Sequence, residues 1–366
     1  MSVKSRFDYI LLLSALLLVG TGIVMVYSSS AIMASGKFND GYFFLKKQIL
    51  FAVVGILMMI GVARIDHQFY RKIAYLILGI SLLSLIAVLI PGIGVKVGGS
   101  TRWLKMGPFS IQPSEFAKLA LIIYLASSLA NKEKNIKKFS VGILPHLIVT
   151  GIMLSLIIKQ PDMGTSICIA AIMFALLFAA GVRLSHLSLI LLSAAPLIYF
   201  LIANIAYRRQ RILSFLNPWV DPSDSGFQII QSFYAFGSGG VFGRGLGEGK
   251  QKLFYLPEPH TDFIFSVIGE ELGLVGTLMI LAAFFIFVYR GISTAIRSSD
   301  LFSTYLALGI TVLIGLQAAV HMGVTLGLLP TKGIPLPFIS YGGSSLVINL
   351  IALGILLNIS SQVKKG

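Results

Sequence analysis

The sequence predicts an all-α integral membrane protein of about ten transmembrane helices, and three observations predict it. Of its 366 residues 56% are hydrophobic and 12% charged, with a mean hydropathy of +0.89, far from a soluble globular chain. Apolar runs of spanning length, roughly 17 to 25 residues, recur from end to end. The basic residues gather in short clusters between those runs. The net charge of +15 therefore marks topology and anionic lipid head groups, not a nucleic-acid surface.

Taken in order, the candidate spans lie at about 8–29, 48–64, 73–91, 114–130, 141–158, 164–181, 185–204, 262–289, 301–324 and 342–360. Ser28, Ser29, Ser30 and Ala31 faintly resemble a cleavage site, but the run before them can span, so it reads as a retained anchor. Ten spans put both termini on one side. The Lys and Arg residues are densest in the short loops on that side, among them Arg71, Lys72, Lys132, Lys134, Arg290 and Arg297, so both termini are predicted to be cytoplasmic. Segments 30–47, 92–113, 205–261 and 325–341 then face outward, within a single polytopic domain over 1–366. The largest, 205–261, joins spans seven and eight. Cys168 is the one cysteine, which excludes a disulfide framework. QPS at 112–114 and QPD at 160–162 form a weak internal echo.

The informative stretch is LPEPHTDFIFSVIGEELGLVG, 256–276, which puts acids into a run that otherwise belongs in lipid. Such acids usually face a partner or a wet cavity. At 100° per residue, Ser266, Gly269, Glu270, Gly273 and Gly276 fall on the face below Asp262, and Glu271 points the other way. The bland alternative is that Thr261 or Asp262 caps the helix, the glycines permit close packing and the glutamates pair structurally. His260 is one residue removed from Asp262, yet a lone interfacial His is usually solvated, and no metal-ligand spacing is present.

Three more stretches carry chemistry. In GGSTRWLKMGPFSIQPSEFAKLA, 98–120, Glu115 and Lys118 are spaced to pair on a helix, either fixing its register or lying near a substrate phosphate. Arg102 suits either a head-group anchor or a diphosphate ligand. The 204–258 loop turns from basic (Arg208, Arg209, Arg211) through FQIIQSFYAF, expected as a surface helix on the membrane, to GSGGVFGRGLGEGKQK. That tract fits neither GxGxxG nor a P-loop. Its amides, with Arg244, could cradle a phosphate, and flexible packing on the membrane is the plainer expectation. Finally, LLPTKGIPLPFISYGGSS, 328–345, predicts an unwound segment at membrane depth. There Lys332, Ser340, Gly342, Gly343, Ser344 and Ser345 offer charge, hydroxyls and free amides to an anion.

These residues carry a resemblance. GSTRWL, IQPSEFAKL, QPDMGT, GSGG with GRGLG, LPEPHTDFIFSVIGEELG and PLPFISYGGSS, spread over nearly the whole chain, closely resemble the SEDS family (shape, elongation, division and sporulation), polytopic bacterial proteins that polymerise peptidoglycan from lipid II. NPWVDPSDSGFQIIQS and LLPTKG look more like its division members than its elongation members. Pro259 departs from the family, which more often has Ala before the HTD triplet.

The resemblance implies that Asp262 is the essential catalytic acid, a general base for the acceptor sugar hydroxyl as undecaprenyl diphosphate departs. It also implies supporting or substrate-binding roles for the motif residues Arg102, Gln112, Ser114, Glu115, Lys118, Asp162, Arg244, His260, Glu270, Glu271, Lys332, Ser340, Gly342, Gly343 and Ser344. Arg102, Lys118, Arg244 and Lys332 are the candidates for the diphosphate charge. The implied setting is the bacterial inner membrane at the division septum. The implied partners are lipid II, the growing glycan strand, membrane lipids, a class B penicillin-binding protein and other division proteins. No cofactor is required, and a divalent ion such as Mg2+ is compatible. The rival readings are a lipid II flippase, an elongation-type polymerase or a division scaffold.

Overall fold

The structure is a computed structural model that describes residues 7–97, 100–107, 109–224, 226–252, 256–331 and 333–362. Each of the ten predicted runs is a helix. In chain order they are α1 (Tyr9–Phe38), α2 (Phe43–Ala63), α4 (Ala74–Leu89), α5 (Pro113–Asn131), α6 (Leu144–Lys159), α7 (Met163–Ala179), α8 (Leu184–Ala203), α11 (Ile264–Ile296), α12 (Leu301–Thr325) and α13 (Gly343–Gln362), with short α3 (Gln68–Lys72), α9 (Ala206–Leu216) and α10 (Phe227–Gly239) between them. Among the described residues, six are long and apolar enough to cross a membrane: α1, α2, the continuous helical stretch 139–159, α11, α12 and α13. The chain is thus a multi-pass helical membrane protein.

One element lies outside the helical expectation. The 92–113 segment folds into an antiparallel sheet of β1 (Gly94–Val97), β2 (Ser100–Met106) and β3 (Phe109–Ile111), with Val95 opposite Trp103 and Leu104 opposite Ile111. The GG and GP dipeptides between short runs of β-forming residues are the turn signals that announce it.

The core is organised around α5, which is buried on every side from Ala117 to Leu129 and packs against α4, α7 and α12. A helix covered by protein all round needs no lipid-facing stripe. This is why α5 can carry Glu115, Lys118, Ser127 and Ser128. The helix ends are tied by side chains. Asp8 caps α1, accepting from the amides of Ile10 and Leu11, and pairs with Arg290 of α11 at 2.6 Å. Asp300 caps α12.

The glycine tract has a purpose that neither a phosphate cradle nor flexible packing describes. α11 is broken at Gly273, where φ is 65° and ψ −162°. Helical geometry would join Glu270 O to Leu274 N and Glu271 O to Val275 N. Instead, the amides of Arg244 and Gly245 donate to Glu270 O and Glu271 O, and the amides of Leu274 and Val275 donate to Gly240 O and Val241 O. The loop backbone is spliced into the helix, satisfying four groups that lipid could not. α10 is a helix as expected, but it packs on α11, with Ser232 Oγ 2.6 Å from Ser266 Oγ.

The splice makes two neighbouring glycines unequal. A Cβ on Gly243 (φ +78°) would sit 2.1 Å from Glu271 O, whereas one on Gly247 (φ +87°) would meet nothing within 4 Å. Gly247→Ala is therefore expected to lose only the left-handed backbone preference, about 1–2 kcal/mol. Gly243→Ala is expected to lower the unfolding temperature several-fold more, because loop and helix must separate. Thermal unfolding of both variants in detergent checks the difference.

Candidate active site

Asp262 lies two residues ahead of α11, in the loop at its end, and its position is set by the unwound segment between α12 and α13. That segment is buried at Ile334, Leu336, Phe338 and Ile339. Several of its backbone groups are met by side chains and by the HTD triplet. Ser340 Oγ donates to Thr261 O at 2.7 Å and accepts from Leu336 N at 2.8 Å. Tyr341 N donates to His260 O, and His321 Nδ1 lies 2.8 Å from Ile334 O. His260 is buried between the rings of Phe44 and Tyr341, and burial pushes its pKa down despite the nearby Glu258. It is a packing residue that orients the loop, not a solvated one.

The Asp262 carboxylate faces a cavity of about 230 Å³ lined from the sheet, α5, α7, α12 and α13 by Arg102, Trp103, Gln112, Glu115, Lys118, Thr165, Cys168, Glu258, Thr261, Gln317, Gly333, Ile334, Pro335, Tyr341, Gly342 and Ser345. A Cβ on Gly333 would lie 3.0 Å from Asp262 Oδ2, so glycine there leaves room for the carboxylate. Burial pushes Asp262 up to about 6, with Glu258 and Asp162 adding to the rise while Arg211 and Arg102 oppose it. An acid so tuned is ionised at neutral pH and more basic than an ordinary Asp.

Arg102, carried by β2, donates from Nε to Gln160 O at 3.1 Å and from a terminal nitrogen to Pro161 O at 2.5 Å. Neutral carbonyls orient this guanidinium without cancelling its charge. Lys118 is different, because its ammonium is bound to Glu115 Oε1 at 2.7 Å with both side chains buried. The QPS and QPD echoes meet in space. Gln112 Nε2 reaches Ser114 Oγ at 3.1 Å and Asp162 Oδ2 at 3.4 Å, while Asp162 caps α7 by accepting from Thr165 N. A second hollow is lined by Gln210, Arg211, Ser223, Asp224, Phe227, Gln228, Pro257 and Thr331; Pro257 precedes Glu258 of the first cavity in sequence.

Several predicted site residues stand elsewhere. Glu270 and Glu271 do not line the cavity, although the helical wheel puts Glu270 below Asp262, because both hold the glycine tract. Glu270 accepts from the amides of Lys250 and Gln251. Glu271 accepts from Ser28 Oγ, Gly247 N and Lys252 Nζ. Arg244 is exposed, and its Nε donates to Ser238 O. Gly343 packs against the Phe51 ring. Ser344 Oγ joins α13 to the sheet, accepting from Gln112 N and donating to Ser110 O. Lys332 lies outside the described residues. The residues not foreseen are Glu258, Thr165, Gln317 and Tyr341. Glu258 is four residues before Asp262 in LPEPHTD and was legible there; Gln317 sits in an apolar helix with no motif around it.

Comparison with known proteins bears on the same stretches. The family model for the FtsW, RodA and SpoVE cell cycle proteins matches residues 8–365. The chain is 51% identical over 359 residues to the probable peptidoglycan glycosyltransferase FtsW of Geobacter metallireducens, covering 98% of this chain and 96% of that one. It resembles a solved chain described under structural coordination of polymerization and crosslinking by a peptidoglycan synthase complex, with a TM-score of 0.81 and 30% identity over 97% of each. It also resembles the rod shape determining protein RodA of Thermus thermophilus, with a TM-score of 0.73 and 27% identity over 98% of each. With one model spanning nearly every residue and one relative half identical along its length, the chain belongs to the FtsW, RodA and SpoVE family of cell cycle proteins.

Proposed function

We propose that the chain is a division-type peptidoglycan glycosyltransferase that polymerises lipid II at the outer face of the bacterial cytoplasmic membrane, at the septum. It does so as a ten-span protein with both termini inside. The observation that carries this reading is the Asp262 carboxylate, raised in basicity by burial, facing a polar cavity that also holds an Arg102 guanidinium bound, among the described residues, to two carbonyls. The acceptor sugar hydroxyl gives its proton to Asp262 as its oxygen attacks the anomeric carbon of the donor. The bond from that carbon to the diphosphate breaks on the opposite face, and the electron pair leaves with undecaprenyl diphosphate. The leaving group is already ionised, so one carboxylate suffices and no acid catalyst is needed.

Arg102 stabilises the charge gathering on the diphosphate. Lys118, neutralised by Glu115, is a weaker candidate, and Arg244 faces away. Among the described residues no three His, Cys, Asp or Glu converge as metal ligands. A Mg2+ ion, which takes one or two carboxylates and completes its shell with substrate phosphate oxygens and water, would be held by Glu258 of the cavity wall, leaving Asp262 as the base, and would add charge stabilisation of the diphosphate. The partner is a cognate class B penicillin-binding protein that cross-links the strands.

The test is glycan-strand formation from purified lipid II by the protein with that partner, wild type against Asp262→Asn. Undiminished strand formation by the variant removes Asp262 from the chemistry, and translocation of labelled lipid II without strand formation would establish a transporter instead. Arg102→Gln is expected to lower kcat by about 10²-fold, the usual loss of one charge-stabilising donor, with a smaller change in KM. Steady-state kinetics on the same substrate check it.

A further inference from the structure

The floor of the Asp262 cavity carries polar groups that the reaction above does not use. Gln317 of α12 is 1% exposed and lines the cavity, yet neither its amide oxygen nor its amide nitrogen has a hydrogen-bond partner among the described residues. Glu115 of α5, 2% exposed, lines the same cavity and gives one oxygen to Lys118, while its Oε2 is also unpartnered. Buried polar atoms without partners weaken a fold. A cavity that keeps three of them is arranged to be completed by what enters it.

The charge balance says what kind of group that is. Lys118 and Glu115 neutralise each other at 2.7 Å and Gln317 is neutral, so the floor has no net charge to offer a diphosphate; Arg102 holds that charge elsewhere on the wall. A primary amide presents a donor and an acceptor side by side in one plane, and its natural complement is the N–H and C=O of another amide. The free Glu115 oxygen accepts one more N–H or O–H. We propose that Gln317, with Glu115 Oε2, recognises the acetamido substituent of a sugar seated in the cavity, and so sets specificity for N-acetylated sugars over sugars with a hydroxyl at that carbon. Lys118 acts through Glu115, holding its carboxylate in place. The inference rests on the polymerase reading and assigns the group that this site measures.

The test compares wild type with Gln317→Met, partner present, on lipid II and on two analogues in each of which one acetamido group is replaced by hydroxyl. Wild type is expected to prefer lipid II over at least one analogue by about 10²-fold or more in kcat/KM, since a site built to hydrogen-bond a group rejects substrates lacking it. Gln317→Met is expected to lose most of that preference while staying within a few-fold of wild type on the same analogue. Equal falls on all three substrates, or unchanged ratios for both analogues, overturn the proposal and leave the floor to water. Without ligand, Gln317→Met is expected to unfold no lower than wild type, because it removes two unpaired polar atoms. If it fails to accumulate, Gln317→Asn, which keeps the amide one methylene short, must show a reduced ratio. Absence of strand formation by wild type itself would count against the polymerase reading. The shift in unfolding temperature that each of the three compounds causes in wild type and variant would then still read the acetamido preference.

Discussion

Asp262→Asn is expected to lower the rate of glycan-strand formation by about 10²–10⁴-fold, the range a positioned general base contributes, while leaving the protein folded and somewhat more stable. Both halves follow from one environment. Burial pushes the carboxyl from 3.8 to about 6, so the fold prefers the protonated form more strongly than the unfolded chain does. The stability associated with that preference is fully present below pH 3.8, is lost as pH rises through about 6, and is absent at neutral pH, where the ionised carboxylate strains the fold. Asn removes the charge and the strain together, a gain on the order of 1–3 kcal/mol at neutral pH. The same shift sets the acid limb of the rate. kcat/KM of the wild type is expected to be half-maximal near pH 6 and about tenfold below its plateau at pH 5. A pH–rate profile and thermal unfolding of wild type and variant, measured side by side, check both. An acid limb near pH 4, or a variant that is inactive because it no longer folds, would contradict this account.

The parts of the molecule that were legible in the sequence are those governed by one-dimensional rules. A lipid environment requires long apolar runs, so each of the ten helices announced itself by length and composition. Prolines and glycines in a deep apolar context announced the unwound segment before α13, and its burial at Ile334, Leu336, Phe338 and Ile339 agrees. Asp262 stood out because an acid at the mouth of such a run needs a reason. What failed was the inference from helical phase to partner. The wheel placed Glu270 beneath Asp262 on the assumption that Asp262 belongs to the helix. α11 begins only at Ile264, after a non-helical Phe263, and a loop some 30 residues earlier is spliced into the break at Gly273 beside the two glutamates. Phase carries no information about which distant backbone will pair with a glutamate. Gln317 was invisible for a related reason: a polar residue in an apolar helix becomes informative only when its unpaired amide is seen to face a cavity. The sheet is written in its turn dipeptides, which span length does not weigh.

The splice supplies the other large expected effect. Lys252 Nζ lies 2.6 Å from Glu271 Oε1 and 3.0 Å from Ser28 Oγ, with both charged side chains almost fully buried. The Coulomb gain of a buried pair is largely offset by desolvation, so the pair adds little net stability, but removing one partner strands the other charge out of water. Glu271→Ala is therefore expected to destabilise the protein by about 3–5 kcal/mol, since among the described residues the Lys252 ammonium then keeps the Ser28 hydroxyl alone. Lys252→Met is expected to cost less, because Glu271 still accepts from Ser28 and from the amide of Gly247. The double variant Lys252→Met/Glu271→Ala is expected to recover more than half of the loss seen in Glu271→Ala, a coupling well above the roughly 0.5 kcal/mol of independent sites. Because this clasp holds the glycine tract in the break of α11, and the HTD triplet lies between tract and helix, polymerisation should fall in Glu271→Ala and return with stability in the double variant. A double variant that unfolds at the sum of the two single losses would show that the charges do not meet, and that some other contact holds the loop in the helix.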